Sequence, residues 1–88
     1  VVVLKGSGSV IAAPGQPPTI NPTGNARLAT AGTGDVLAGL IGARWAASAD
    51  PLRAAIEAVY THGRAAEAWP TGQVLTAGAL ARGLVRPV

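Results

Sequence analysis

Asp35 divides the chain into two kinds of pattern, and that division limits the fold more than any other feature. Before it, apolar residues come in short runs broken by glycine and proline; after it, they recur every three or four residues. Val1-Val2-Val3-Leu4 is a continuous apolar run of the kind found in strands covered on both faces. Lys5-Gly6-Ser7-Gly8 interrupts it, and Ser9 to Ala13 reads as a second short strand. Pro14-Gly15-Gln16-Pro17-Pro18 is a turn by its composition. Thr19-Ile20-Asn21 is a third short strand, followed by the turn cluster Asn21-Pro22-Thr23-Gly24-Asn25.

Past Asp35 the spacing of Val36, Leu37, Leu40 and Ile41, continued by Arg44 or Trp45, predicts an amphipathic helix of about three turns. Gly39 and Gly42 weaken it by roughly 1 kcal/mol each relative to alanine, so a small face open to another backbone is expected there. Asp50-Pro51 predicts a second helix, with aspartate as N-cap and proline at the first helical position. Leu52, Ile56, Val59, Tyr60 and Gly63 follow at helical spacing, Arg53 and Glu57 form an i,i+4 pair, and Pro70-Thr71-Gly72 is the stop. Thr76 predicts the cap of a last helix to about Leu84, with Ala77, Leu80, Ala81 and Leu84 facing inward.

Short strands followed by three helices fit part of an α/β fold with helices packed on a sheet. The 88 residues include 19 alanines and 12 glycines but no Phe or Met. So little bulk makes a thin core for a chain of this size. Residues 1–88 are therefore expected to be one segment of a larger domain, poorly stable alone, with no internal repeat or boundary.

Several classes fall away on composition. There is no cysteine, one histidine and only four acids, which argues against a disulfide scaffold or a self-contained metal site. The seven basic residues are dispersed without interleaved aromatics, unlike a nucleic-acid groove. No apolar run approaches the ~18–20 residues of a membrane span, and Val1 to Leu4 lack the basic flank of a signal peptide.

Chemistry is expected where Ala29-Thr30-Ala31-Gly32-Thr33-Gly34-Asp35 runs into the first helix. Small residues there leave backbone N–H groups free, aligned with the positive end of the helix dipole. Gly32 and Gly34 allow the dihedrals and the close approach an anion cradle needs. Asp35 stands at its mouth, able to accept a proton, or else is simply the helix N-cap. The loop is not a Walker A motif, since no Gly-Lys-Ser/Thr follows. It also lacks the third glycine and the ribose-binding acid of a dinucleotide fingerprint.

Three blocks in order, Val3 to Ala12, Asn21-Pro22-Thr23-Gly24-Asn25 and Ala29 to Gly39, closely resemble the ADP/ATP-dependent NAD(P)H-hydrate dehydratase family. Val59-Tyr60-Thr61-His62-Gly63 resembles that family's following helix. The resemblance implies the ribokinase-like fold, a three-layer α/β/α arrangement, of which these residues match about the last third. The remainder of the catalytic domain is then expected upstream. It further implies repair of hydrated NADH and NADPH: ADP or ATP phosphorylates the hydroxyl, and phosphate is eliminated. Mg²⁺ is expected with the phosphates, held by their oxygens and water rather than by protein ligands. A cytoplasmic location and frequent homo-oligomers are also implied.

Carried over by residue, the resemblance makes Asp35 the catalytic, hydrate-binding carboxylate, with Gly32, Thr33 and Gly34 as the anion hole. Nucleotide contacts fall on Lys5, Gly6, Ser7, Gly8, Ser9 and Gly34. Ser9 stands where the family often has threonine, and Arg27 where it often has a small residue. Each residue keeps a plainer alternative: Lys5 as a solvated lysine, Ser7 and Ser9 as turn residues. Asn25 is a phosphate contact or a turn residue, and His62 a wall of the nucleotide pocket or a packed side chain. Two other readings of the whole compete, another ribokinase-like small-molecule kinase and a nucleotide-binding module without turnover. Asp35 stands where vitamin-pathway kinases resemble Gly-Thr-Gly-Cys, and the Asn-Pro-Thr-Gly-Asn block favours the dehydratase over sugar kinases.

Overall fold

The computed structural model describes residues 1–6 and 9–84. Three short strands, β1 (Val2–Leu4), β2 (Val10–Ala12) and β3 (Thr19–Ile20), pair antiparallel in the order β1-β2-β3. Register places Val3 opposite Ile11 and Ile11 opposite Thr19, so these three share one face. Helices α1 (Thr33–Ser48) and α2 (Pro51–Glu67) lie on that face. Leu37, Ala55, Ala58 and Val59 bury against Ile11, with Val3, Leu40, Ile41, Leu52 and Ile56 around them.

Val2, Leu4 and Ile20 share the opposite face and are 59%, 66% and 69% exposed. Among the described residues the first strand is covered on one face only, because α1 and α2 both pack on the Ile11 side, as expected of a segment too short to cover both. A second cluster joins α2 to α3 (Ala77–Leu84): Ala66, Leu75 and Leu80 are buried, flanked by Leu28, Val36, Trp69 and Leu84.

The helix starts follow their sequence signals, with one shift. Asp50 caps α2, its Oδ1 accepting from the Arg53 N–H at 3.1 Å, and Pro51 takes the first position. Thr76 caps α3 through its hydroxyl, which accepts from the Ala79 N–H at 3.2 Å. α1 begins earlier than its apolar spacing suggests. Gly32, at φ 90°, is the N-cap, so Thr33, Gly34 and Asp35 form the first turn. Asp35 is thus inside the helix and not its cap. The outer side of α1 carries Ala38, Gly39, Gly42 and Ala43, all exposed, so the helix lacks the polar face that amphipathicity would give it. Nothing stands within 4 Å of a side chain at Gly39 or Gly42, and the close approach expected there is absent among the described residues.

That close approach occurs on α2. Its buried stripe is Ala54, Ala55, Ala58, Val59, His62, Gly63 and Ala66, rotated from the series Leu52, Ile56, Val59, Tyr60 and Gly63. Tyr60 is 48% exposed. Ala55 and Ala58 pack against Ile11 and Leu37, while at Gly63 the Asn21–Asn25 segment lies directly on the helix. A Cβ at Gly63 would stand 2.7 Å from the Thr23 carbonyl carbon and 2.8 Å from the Gly24 nitrogen. Both neighbours are backbone and cannot swing away.

Two glycine substitutions should therefore act in opposite directions in denaturant or thermal unfolding. Gly63→Ala is expected to destabilise at the upper end of overpacking, about 3 kcal/mol. Gly39→Ala, in a helix with open space beside it, is expected to stabilise by about 0.5–1 kcal/mol.

Candidate functional site

A cleft of about 860 Å³ opens between the loop after β1, the Asn21–Asn25 segment, the start of α1 and the middle of α2. Its lining brings together Lys5, Gly6, Ser9, Asn25, Thr33, Gly34 and His62, from four separate stretches of sequence. Gly32 and Asp35 stand beside this lining and not in it, Asp35 exposed on the first turn of α1. Ser7 and Gly8 lie outside the described residues.

The two glycines of the loop have different uses. Gly32 has the left-handed φ of 90°, and a Cβ on it would come within 3.0 Å of the Ala77 Cβ. Gly34 is ordinary helix. Its missing side chain instead leaves room for Lys5, whose Nζ lies 2.9 Å from where a Gly34 Cβ would be. Of the residues expected to form an anion hole, Thr33 is already engaged. The Thr33 N–H donates to the Thr30 carbonyl at 3.3 Å, and its hydroxyl donates within the loop, with the Leu28 and Thr30 carbonyls at 2.6 and 2.9 Å. Thr33 is committed to holding the loop together. Gly34 and Asp35 occupy the second and third helical positions, where N–H groups have no intrahelical acceptor.

Lys5 and the start of α1 thus bring two positive fields to one point. No carboxylate pairs with Lys5 among the described residues. The neighbouring Ser9 hydroxyl is turned inward on its own loop, donating to the Gly6 carbonyl at 3.0 Å and accepting from the Gly6 N–H at 3.2 Å. It fixes the bend that aims Lys5 across Gly34.

The Asn21–Asn25 block forms the opposite wall. Asn21, 7% exposed, donates to the Thr23 carbonyl at 3.1 Å. The Thr23 hydroxyl lies 3.0 Å from the Tyr60 carbonyl on α2 and 3.1 Å from Asn21 Oδ1. Asn25 accepts from the Arg27 N–H at 3.0 Å, capping the 3-10 turn Ala26–Ala29, and donates to the Ala66 carbonyl at 3.2 Å. Its amide is therefore spent on the turn and on α2. Arg27, without an assigned role on sequence alone, donates from Nη1 to the Trp69 carbonyl at 2.7 Å and closes the end of α2 onto the same turn. Gly63 is the residue whose part in the site the sequence pattern missed. Its position beside His62 was visible, but the segment it must admit lies some 40 residues earlier in the chain.

His62 is 5% exposed, with Nε2 3.0 Å from the Thr33 carbonyl. A carbonyl only accepts, so the ring carries its proton on Nε2. Burial pushes the imidazole below its ordinary value of 6.5; the bond to Thr33 opposes this, and the charge of Lys5 adds to it.

Against this geometry, comparison with known proteins is decisive. The family model described as NAD(P)H-hydrate dehydratase matches residues 1–86. The chain belongs to the NAD(P)H-hydrate dehydratase family. It is 49% identical over 69 residues to the ADP-dependent (S)-NAD(P)H-hydrate dehydratase of Bacillus subtilis, a match covering 78% of this chain and 25% of that protein. The Neisseria meningitidis enzyme of the same name is 42% identical over 80 residues, 91% of this chain and 27% of its own. The dehydratase fold is shared as well. The crystal structure of the ADP/ATP-dependent NAD(P)H-hydrate dehydratase from Bacillus subtilis, co-crystallized with ATP/Mg²⁺, superposes with a TM-score of 0.85 at 44% identity. That superposition covers 93% of this chain and 31% of the other. The α/β expectation stands, and the chain spans between a quarter and a third of these dehydratases. Among the described residues no helix is long and apolar enough to cross a membrane.

The state of His62 gives a pH test. Its folded value lies below the unfolded one, so the unfolded chain binds the extra proton first and stability falls as pH drops below about 6.5. Above that value its contribution is complete. Unfolding measured across this range is expected to show the decline in the native chain and a flatter profile in His62→Gln.

Proposed function

We propose that the cleft receives the phosphates of an adenine nucleotide. The chain would then be the phosphate-handling part of an enzyme that restores hydrated NADH or NADPH at the expense of ADP or ATP. The observation that carries this reading is the convergence of the Lys5 ammonium and the free first turn of α1 on one point beside Gly34. With Lys5 unpaired among the described residues, an anion is favoured at this point, and phosphate answers both fields. The names of the Bacillus subtilis and Neisseria meningitidis relatives, and the ATP/Mg²⁺ in the Bacillus subtilis crystals, point the same way.

In this reading Lys5 holds the phosphate chain as a point charge, and the N–H groups of Gly34 and Asp35 steady the oxygens of the group being transferred. Asp35, one residue along, takes the proton of the hydrate's hydroxyl as that oxygen bonds to phosphorus and the bond to the leaving nucleotide breaks. Phosphate, a far better leaving group than hydroxide, then departs with the C–O electron pair while the adjacent ring carbon gives up a proton to solvent, and the double bond of the dihydronicotinamide is restored. Thr33 and Asn25 hold the walls in place without touching the transferred group. Among the described residues no three His, Asp or Glu side chains gather into a metal-holding group. A Mg²⁺ ion brought by the nucleotide would take its ligands from phosphate oxygens and water. A cytoplasmic location belongs to the same reading, since pyridine nucleotides are in use there.

The test is turnover of hydrated NADH with ADP by the complete gene product. Asp35→Asn is expected to lower turnover by about 10²–10⁴-fold while leaving nucleotide affinity near native, whereas Lys5→Ala is expected to weaken the nucleotide. Phosphorylation of some other hydroxyl compound, with hydrated NADH untouched, would overturn the assignment in favour of a small-molecule kinase.

A further inference from the structure

We infer that His62 is a positioning residue: its Nε2–H bond to the Thr33 carbonyl fixes where the first turn of α1 presents its free N–H groups to the cleft. The inference rests on the reading of that cleft as a phosphate site. Apart from its place in α1, Thr33 is tied to its own loop, to Leu28 and Thr30, and these bonds would travel with the loop if it moved. At this end of α1, among the described residues, the bond from His62 is the one that reaches across to another helix. Helix α2 is itself pinned to the opposite wall, because Gly63 receives Thr23 and Gly24. Adjacent residues therefore set both sides of the cleft, one through a hydrogen bond and one through the lack of a side chain.

Packing alone does not explain an imidazole here. The rest of the stripe is alanine, valine and glycine, and a buried ring nitrogen costs free energy unless it is bonded. The neutral ring has a single N–H, committed to Thr33. The ring can thus line the cleft without adding a charge, leaving Lys5 and the helix end to set its potential. Displacing donors by about 1 Å is enough to forfeit most of the advantage of a prearranged site.

The test compares His62→Leu, which removes the donor, with His62→Gln, whose amide can donate from a similar reach. Ile56→Val, a packing change away from the cleft, serves as the control. ADP affinity is measured by calorimetric titration and corrected for the folded fraction. His62→Leu is expected to bind about tenfold more weakly, His62→Gln to stay within about threefold of native, and Ile56→Val to match native. In ¹⁵N spectra of the complete gene product, in which all these variants are made, His62 is expected as the Nε2–H tautomer. Native affinity in His62→Leu, an equal loss in Ile56→Val, or an Nδ1–H or unfolded His62 signal would each overturn the inference. Should the complete gene product bind no ADP, the phosphate reading fails by itself. Positioning is then judged by amide exchange at Gly34 and Asp35. Faster exchange in His62→Leu than in Ile56→Val upholds it, and equal rates overturn it.

Discussion

No side chain fits at position 63, and most of the local architecture follows from that. The Thr23–Gly24 backbone occupies the space that a Cβ would need. This contact brings the Asn-Pro-Thr-Gly-Asn block onto α2, where the Thr23 hydroxyl meets the Tyr60 carbonyl and Asn25 donates to the Ala66 carbonyl. One residue earlier on the same helix, His62 holds the start of α1. Glycine and histidine at adjacent positions of α2 thus join two stretches of sequence that share no secondary structure.

The electrostatics of the cleft depend on that scaffold. A lysine beside a helix N-terminus is unfavourable in isolation, since both ends are positive. It persists here because the Ser9–Gly6 turn and the bare surface of Gly34 aim the side chain across the helix end. Among the described residues Lys5 has no salt-bridge partner there, so an anion would be favoured at this place, unlike at an ordinary salt-bridged surface. By contrast, Arg53 pairs with Glu57 at 2.9 Å in the usual i,i+4 manner and has no part in the cleft.

Local signals were legible in the sequence wherever they were chemical. Asp50-Pro51 and Thr76 marked their helix starts because capping needs only neighbouring residues. The Gly32–Asp35 loop was legible for the same reason, although Gly32 replaced Asp35 as the cap and moved the helix start back to Thr33. Non-local uses were not legible. The apolar spacing in α2 suggested Tyr60 as core, whereas Ala55 and Ala58 face inward against Ile11 and Leu37, partners that spacing within the helix does not reveal. Thr33 read as an anion-hole donor until its N–H, hydroxyl and carbonyl all proved engaged. Arg27 looked anomalous by resemblance and turns out to close the end of α2. The family resemblance supplied the chemistry, and the structure supplied the reasons for individual residues.

The central claim is that the cleft seated on His62 and Gly63 is where phosphate is held. The most direct measurement is a map of backbone amide shifts as ADP is added to the native chain. The account requires the largest changes at Lys5, Gly6, Gly34 and Asp35, with smaller ones at Thr33 and none of comparable size on the exposed Val2–Leu4–Ile20 face. Changes concentrated on that apolar face, or spread without regard to Gly34, would contradict it.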